Sequence, residues 1–228
     1  MNRGILYGVG VGPGDPELLT VKAVRLIRAC GVIAIPHREK DKCFAYAIAS
    51  GAVPELKDKP VLCVDMPMTR DKAAREAAYG AGADAIAREL DRGGDVAFLT
   101  LGDPTVYSTF AYLAAKVAAK GYGVRWVPGV PSFCAAAAAL GEPLCTDREP
   151  VYLIPGGANA QEALALPGTK VFMKGELGPL LSAIEAEGLS AAAVENCGTE
   201  NERVYRTAKD VPADAGYYLV TIVKEKNA

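Results

Sequence analysis

Gly102-Asp103-Pro104 follows a six-residue apolar run, Val96 to Leu101, and precedes a helical pattern starting near Thr109. A glycine-led turn at the carboxyl end of a buried strand is where an open α/β sheet receives a ligand, because glycine lets the backbone come close and proline fixes the turn. These are also ordinary turn residues, so the triplet carries weight only beside other features. A second glycine-rich loop, Gly8-Val9-Gly10-Val11-Gly12-Pro13-Gly14-Asp15-Pro16, invites a dinucleotide reading and fits it poorly. Pro13 or Asp15 falls where the third fingerprint glycine belongs, and Asp15 would bring negative charge toward a pyrophosphate. The next strand ends Ile35-Pro36-His37, without an acidic residue for a ribose hydroxyl, and there is no GxxxxGK[ST] loop. The backbone is expected to approach something other than a phosphate, which disfavours a nucleotide-dependent oxidoreductase.

Other reactive groups are sparse. His37 is the one histidine, and none of the six cysteines forms a CxxC pair, so no zinc site and no catalytic triad is expected. Cys30 and Cys134 lie in apolar stretches where a thiol acts as a small hydrophobe. Two basic segments, His37 to Lys42 and Thr69 to Lys72, could hold acidic groups, with Arg38 and Arg70 the foremost candidates because each follows an extended segment at an expected carboxyl edge. As plain charge runs they read equally well as solvated surface.

Half of the 228 residues are hydrophobic and the formal net charge is −2, which marks a globular chain without the basic field that nucleic acid requires. The absence of a signal-like or membrane-length apolar stretch leads to the expectation of a cytoplasmic enzyme with reduced thiols and no membrane partner. Strands are expected at residues 5–10, 32–35, 61–64, 96–101 and 124–127. Helices between them are expected at 17–29, 44–49, 70–91 (broken near Gly80 and Gly82) and from Thr109. That alternation predicts a mainly parallel sheet covered on both faces. After an alanine-rich helix, 133–140, strands dominate (151–154, 170–173, 191–194, 203–205 and 217–223), with one clear helix at 178–187. This predicts two α/β domains, 1–120 and 121–228, divided at Lys120-Gly121-Tyr122-Gly123, the second with a mixed sheet.

Gly10-Val11-Gly12-Pro13-Gly14-Asp15-Pro16-Glu17-Leu18-Leu19-Thr20 resembles the opening motif of the tetrapyrrole (corrin/porphyrin) methyltransferases. Gly102 to Phe110 and Val127-Pro128-Gly129-Val130-Pro131-Ser132-Phe133 resemble two further family motifs, in the family's order. Tyr107 to Phe110, Pro67 to Arg70 and Met173-Lys174 are most similar to the branch that methylates C-20 of precorrin-2 or its cobalt form. The resemblance implies a two-domain homodimeric enzyme with S-adenosylmethionine bound in the cleft between domains and released as S-adenosylhomocysteine. A cofactor without phosphates accords with the missing phosphate grip. By similarity Gly102, Asp103 and Val106 line the cofactor from the first domain, with Pro13 closing over the methyl group. Ser132, Phe133 and Met173, and by looser matches Gly198 and Tyr218, line it from the second. Asp15, Arg38, Arg70 and Tyr107 are the expected substrate-facing residues; Tyr107 either faces the macrocycle or packs under the turn. Attack by an enamine-like carbon on a sulfonium methyl needs alignment and exclusion of water more than acid or base, so no catalytic residue is assigned. Methylation at another corrin position and a non-catalytic tetrapyrrole-binding paralogue are the alternatives.

Overall fold

The computed structural model describes residues 3–174 and 177–225. The chain divides into two compact units, the first ending at Pro131 and the second beginning at Ser132.

In the first unit, β1 (Ile5–Gly10), β2 (Val32–Ile35), β3 (Val61–Cys63), β4 (Val96–Thr100) and β5 (Gly123–Val127) form a sheet in the order β3-β2-β4-β1-β5. Every pairing is parallel. All five strands therefore end on one edge, and the loops that follow them gather there. The central strand β4 is buried at every residue, as a sheet covered on both faces demands. Helices α1 (Val21–Ala29) and α2 (Phe44–Ala52) pack on one face, and α3 (Lys72–Asp91) and α4 (Phe110–Ala119) on the other.

Several local readings shift. The helix expected from Glu17 begins at Val21, because Asp15 caps a separate 3-10 turn at Pro16–Leu18 and the Thr20 hydroxyl accepts the Ala23 N–H at 3.1 Å. Helix α3 runs unbroken through Gly80 and Gly82. At Gly82 a β-carbon would lie 2.5 Å from Val64 Cγ1, so the missing side chain serves close packing. Gly8 works the same way in β1, where the Phe110 ring of α4 fills the place of its side chain and meets Trp126 edge-on at 4.8 Å. The division at Lys120-Gly121 moves to Pro131–Ser132. The glycine connector only joins α4 to β5, and β5 pairs with β1 from Ile5↔Gly123 to Val9↔Val127.

The second unit opens with α5 (Ser132–Leu140) and contains β6 (Val151–Pro155), α6 (Ala160–Leu164), β7 (Thr169–Met173), α7 (Leu177–Glu187), β8 (Ser190–Glu195), β9 (Arg203–Tyr205) and β10 (Leu219–Lys224). Its sheet has the order β6-β7-β10-β8-β9, with only β6 and β7 parallel, the mixed sheet expected. The short α6 was not legible in the sequence. The Asn159 side chain caps it by accepting the Gln161 N–H at 3.1 Å.

Candidate active site

The carboxyl edge of the first sheet is built on glycine backbone. Gly12 and Gly102 form an isolated antiparallel bridge, with Gly102 N–H donating to Gly12 C=O at 2.8 Å and the return bond at 3.3 Å. Gly102 has φ +69° and Gly12 φ +76°, both in the left-handed region that glycine adopts without cost. A β-carbon on Gly129 would sit 2.2 Å from Gly102 O and 2.9 Å from Gly10 Cα. A β-carbon on Gly10 would lie 2.6 Å from both Gly102 O and Gly129 N. The three backbones come this close because Gly10 and Gly129 have no side chain.

Asp103 locks this junction. One carboxylate oxygen accepts the Thr105 N–H at 2.7 Å and the Thr105 hydroxyl; the other accepts the Gly129 N–H at 2.9 Å. The side chain is buried, and these bonds satisfy both oxygens. Its role in the structure is to tie the loop after β4 to the loop after β5. Gly102 is buried, yet a β-carbon there would find only Val130 O within 4 Å, at 4.0 Å, so space is left beside its backbone. Pro13 is buried beside the bridge and Val106 is half-buried.

The turn has a second face. Tyr107 takes a left-handed conformation, φ +45°, which is uncommon for a bulky residue and clusters at functional sites. It is 53% exposed, so it does not pack under the turn. With Ser108, Tyr112 and Trp126 it lines a groove of about 610 Å³ on the α4 side. Neither Tyr112 nor Trp126 was singled out from the sequence.

The expected substrate-facing residues share this edge but differ in partners. Asp15 Oδ1 accepts the Glu17 N–H at 2.8 Å, which makes it a turn cap. Arg38, after β2, pairs with Asp65 at 2.7 Å, and that bond holds the Asp65 carboxyl below its ordinary range. The partner lies in the segment after β3, 27 residues on, where sequence spacing gives no hint. Arg70 is exposed and makes no hydrogen bond or ion pair among the described residues. His37 Nδ1 is engaged by the backbone of Glu39, and no cluster of metal ligands occurs among the described residues.

The second unit gathers its candidates at one end of the mixed sheet. Met173 ends β7, pairs with Val220 of β10, and is half-buried. Tyr218 precedes β10, and its carbonyl accepts the Asn196 N–H at 3.0 Å. Gly198, φ +78°, lies in the turn after β8 and donates its N–H to Glu202 at 2.7 Å. Lys174 and Asn196 are also left-handed, at φ +58° and +51°. Leu140, at the carboxyl end of α5, lies beside Ser190 and Lys224, and its carbonyl accepts an Arg206 N–H at 3.0 Å; Ser132 and Phe133 open the same helix. Burial pushes the Cys197 thiol up to about 12, and the nearby Glu202 adds to the shift, so it is no nucleophile at neutral pH.

Residues 5–211 match the family of tetrapyrrole (corrin/porphyrin) methylases. The chain belongs to this family. As a tetrapyrrole methylase it is similar to a probable cobalt-precorrin-2 C(20)-methyltransferase of Methanocaldococcus jannaschii, at 35% identity over 74% of this chain and 71% of that protein. It is 30% identical to a precorrin-2 C(20)-methyltransferase of Sinorhizobium sp, over 96% of this chain and 95% of that one. Among solved structures it resembles a uroporphyrin-III C-methyltransferase from Thermus thermophilus complexed with S-adenosylhomocysteine, with a TM-score of 0.71, 23% identity, and 97% and 98% of the two chains covered. That likeness establishes the two-unit α/β fold.

Proposed function

We propose that this tetrapyrrole methylase transfers the methyl group of S-adenosylmethionine to C-20 of precorrin-2 or its cobalt form. The observation that carries the reading is the 30% identity to a C-20 enzyme along nearly the full length of both chains. The space that the missing side chain leaves beside Gly102 supports the cofactor assignment, since it gives room for a ligand to lie against main chain.

S-adenosylmethionine supplies an electrophilic methyl on a sulfonium, whose departure as a neutral thioether asks for no acid. The chain's task is then to hold and align. Gly102 and Val106 offer main chain and an apolar wall on the first unit, with Pro13 beside them. Asp103 acts at one remove, keeping the Gly102 and Gly129 loops in register. Ser132, Phe133, Met173, Gly198 and Tyr218 are the second unit's proposed contacts. Arg38 and Arg70 bind the substrate's carboxylates. Arg70 does so directly, and Arg38 by exchanging Asp65 for a ligand carboxylate, a swap that costs little because the pair is exposed. The homodimer is part of the same reading, and the exposed Tyr107, Tyr112 and Trp126 provide an apolar surface for it. No helix among the described residues is long and apolar enough to cross a membrane.

Incubation with methyl-labelled S-adenosylmethionine and either precorrin-2 or cobalt-factor II, read by NMR of the product, tests the assignment. Label at C-20 is the expected result; label at another carbon, or none with either substrate, overturns it.

A further inference from the structure

Glu195 ends β8 and is 7% exposed. A carboxylate that far from water is costly unless its oxygens are satisfied, and at an interior strand end an apolar residue would pack with less penalty. Here each oxygen has one partner. Oε1 accepts the Gly216 N–H at 2.6 Å, and Oε2 accepts the Tyr205 hydroxyl at 2.9 Å. The bond to Gly216 reaches across 21 residues to the segment that leads into β10.

That segment carries Tyr217 and Tyr218, two half-exposed rings packed edge to face at 5.3 Å. Lys174 places its ammonium 5.2 Å from the centre of the Tyr217 ring, and the Asn196 N–H bonds the Tyr218 carbonyl at 3.0 Å. Both Lys174 and Asn196 lie in the left-handed region, which asparagine adopts readily and lysine seldom does. Met173, Asn196 to Gly198 and Tyr218 thus form one rim across the ends of β7, β8 and β10. Glu195 is the buried group that fastens its third side. Gly216 must be small for this contact: a β-carbon there would stand 2.9 Å from Glu195 Oε1.

We infer that Glu195 is a positioning residue, whose carboxylate pins the Gly216–Tyr218 segment and so holds in place the rim that meets the cofactor. The inference rests on the functional reading above, in which Met173, Gly198 and Tyr218 touch S-adenosylmethionine. Its loss frees the segment and weakens cofactor binding, with little effect on turnover once the cofactor is saturating. Glutamine restores the grip, because its carbonyl oxygen accepts from Gly216 and its amide donates to the Tyr205 oxygen.

The test combines hydrogen exchange of the peptide around Gly216, without ligand, and calorimetric titration of S-adenosylhomocysteine, on the full chain. Glu195→Ala is expected to speed exchange at residues 214–218 and to weaken binding about tenfold, with KM for the cofactor rising in step and kcat within about threefold. Glu195→Gln is expected to stay near wild type in every readout, and Tyr205→Phe, which leaves Oε2 unpartnered, to fall between. Faster exchange with unchanged affinity overturns the inference, as does unchanged exchange, or a glutamine variant as weak as alanine. If Glu195→Ala does not fold, the order of Gln above Phe decides. Absence of binding by the wild-type chain would instead strike the functional reading, a distinct result because exchange is measured without ligand.

Discussion

The two units present their candidate contacts on rims built by opposite means. On the first, the loops after β1, β4 and β5 come together because Gly10 and Gly129 have no side chain, and Asp103 ties them. On the second, side chains do the holding: Glu195 reaches to Gly216, Lys174 covers the Tyr217 ring, and two non-glycine residues are left-handed. The difference follows from topology. Parallel strands all end on one edge, so their loops crowd and backbone must meet backbone. In the mixed sheet, β10 enters where β7 and β8 leave, and the gap between an incoming segment and an outgoing strand is wide enough for a glutamate to span. A rim made of glycine has no slack, whereas one made of side chains can adjust.

Matched alanine substitutions break or sharpen this contrast. Gly129→Ala forces a β-carbon to within 2.2 Å of a carbonyl oxygen that belongs to a locked bridge, so main chain must move. We expect destabilisation of about 3 kcal/mol, seen as a large fall in denaturant midpoint. Gly216→Ala meets the Glu195 carboxylate at 2.9 Å, a side-chain contact that a small shift of the side chain relieves, for a cost of about 1 kcal/mol. Equal losses would show that both rims are equally rigid. The smallest effect is expected at the exposed Arg38–Asp65 pair. Because Arg38 lowers the folded-state pKa of Asp65, the pair's contribution is complete above the ordinary carboxylate range, near pH 4, and fades as the pH falls through the folded value. Melting curves of wild type and Asp65→Asn should therefore differ slightly at neutral pH and converge in acid.

The strands were legible almost to the residue, because a sheet buried on both faces writes itself as short apolar runs such as Val96 to Thr100. Helix ends were less so. Thr20 and Asp15 each cap a different element within one short stretch, and Gly82 reads as a helix breaker until Val64 is seen against it. On the first rim the glycines and Asp103 stand in sequence motifs, so the place was visible, yet the part Asp103 plays was not, since Gly129 lies 26 residues away. On the second rim the sequence offered Met173, Gly198 and Tyr218 through resemblance alone. Nothing marks Glu195 as buried, because an acidic residue closing an apolar strand ordinarily faces water.

The central claim is that the space beside the Gly102 backbone receives S-adenosylmethionine, and it is tested most directly by titrating S-adenosylhomocysteine into wild type and Gly102→Arg, with circular dichroism confirming that the variant is folded. Only Val130 O stands within 4 Å of an added β-carbon, at 4.0 Å, and the strain of a left-handed non-glycine residue costs about 1–2 kcal/mol, a loss that a domain of this size is expected to survive. The account predicts binding to wild type and its loss in Gly102→Arg. Equal affinity in the two proteins would contradict it.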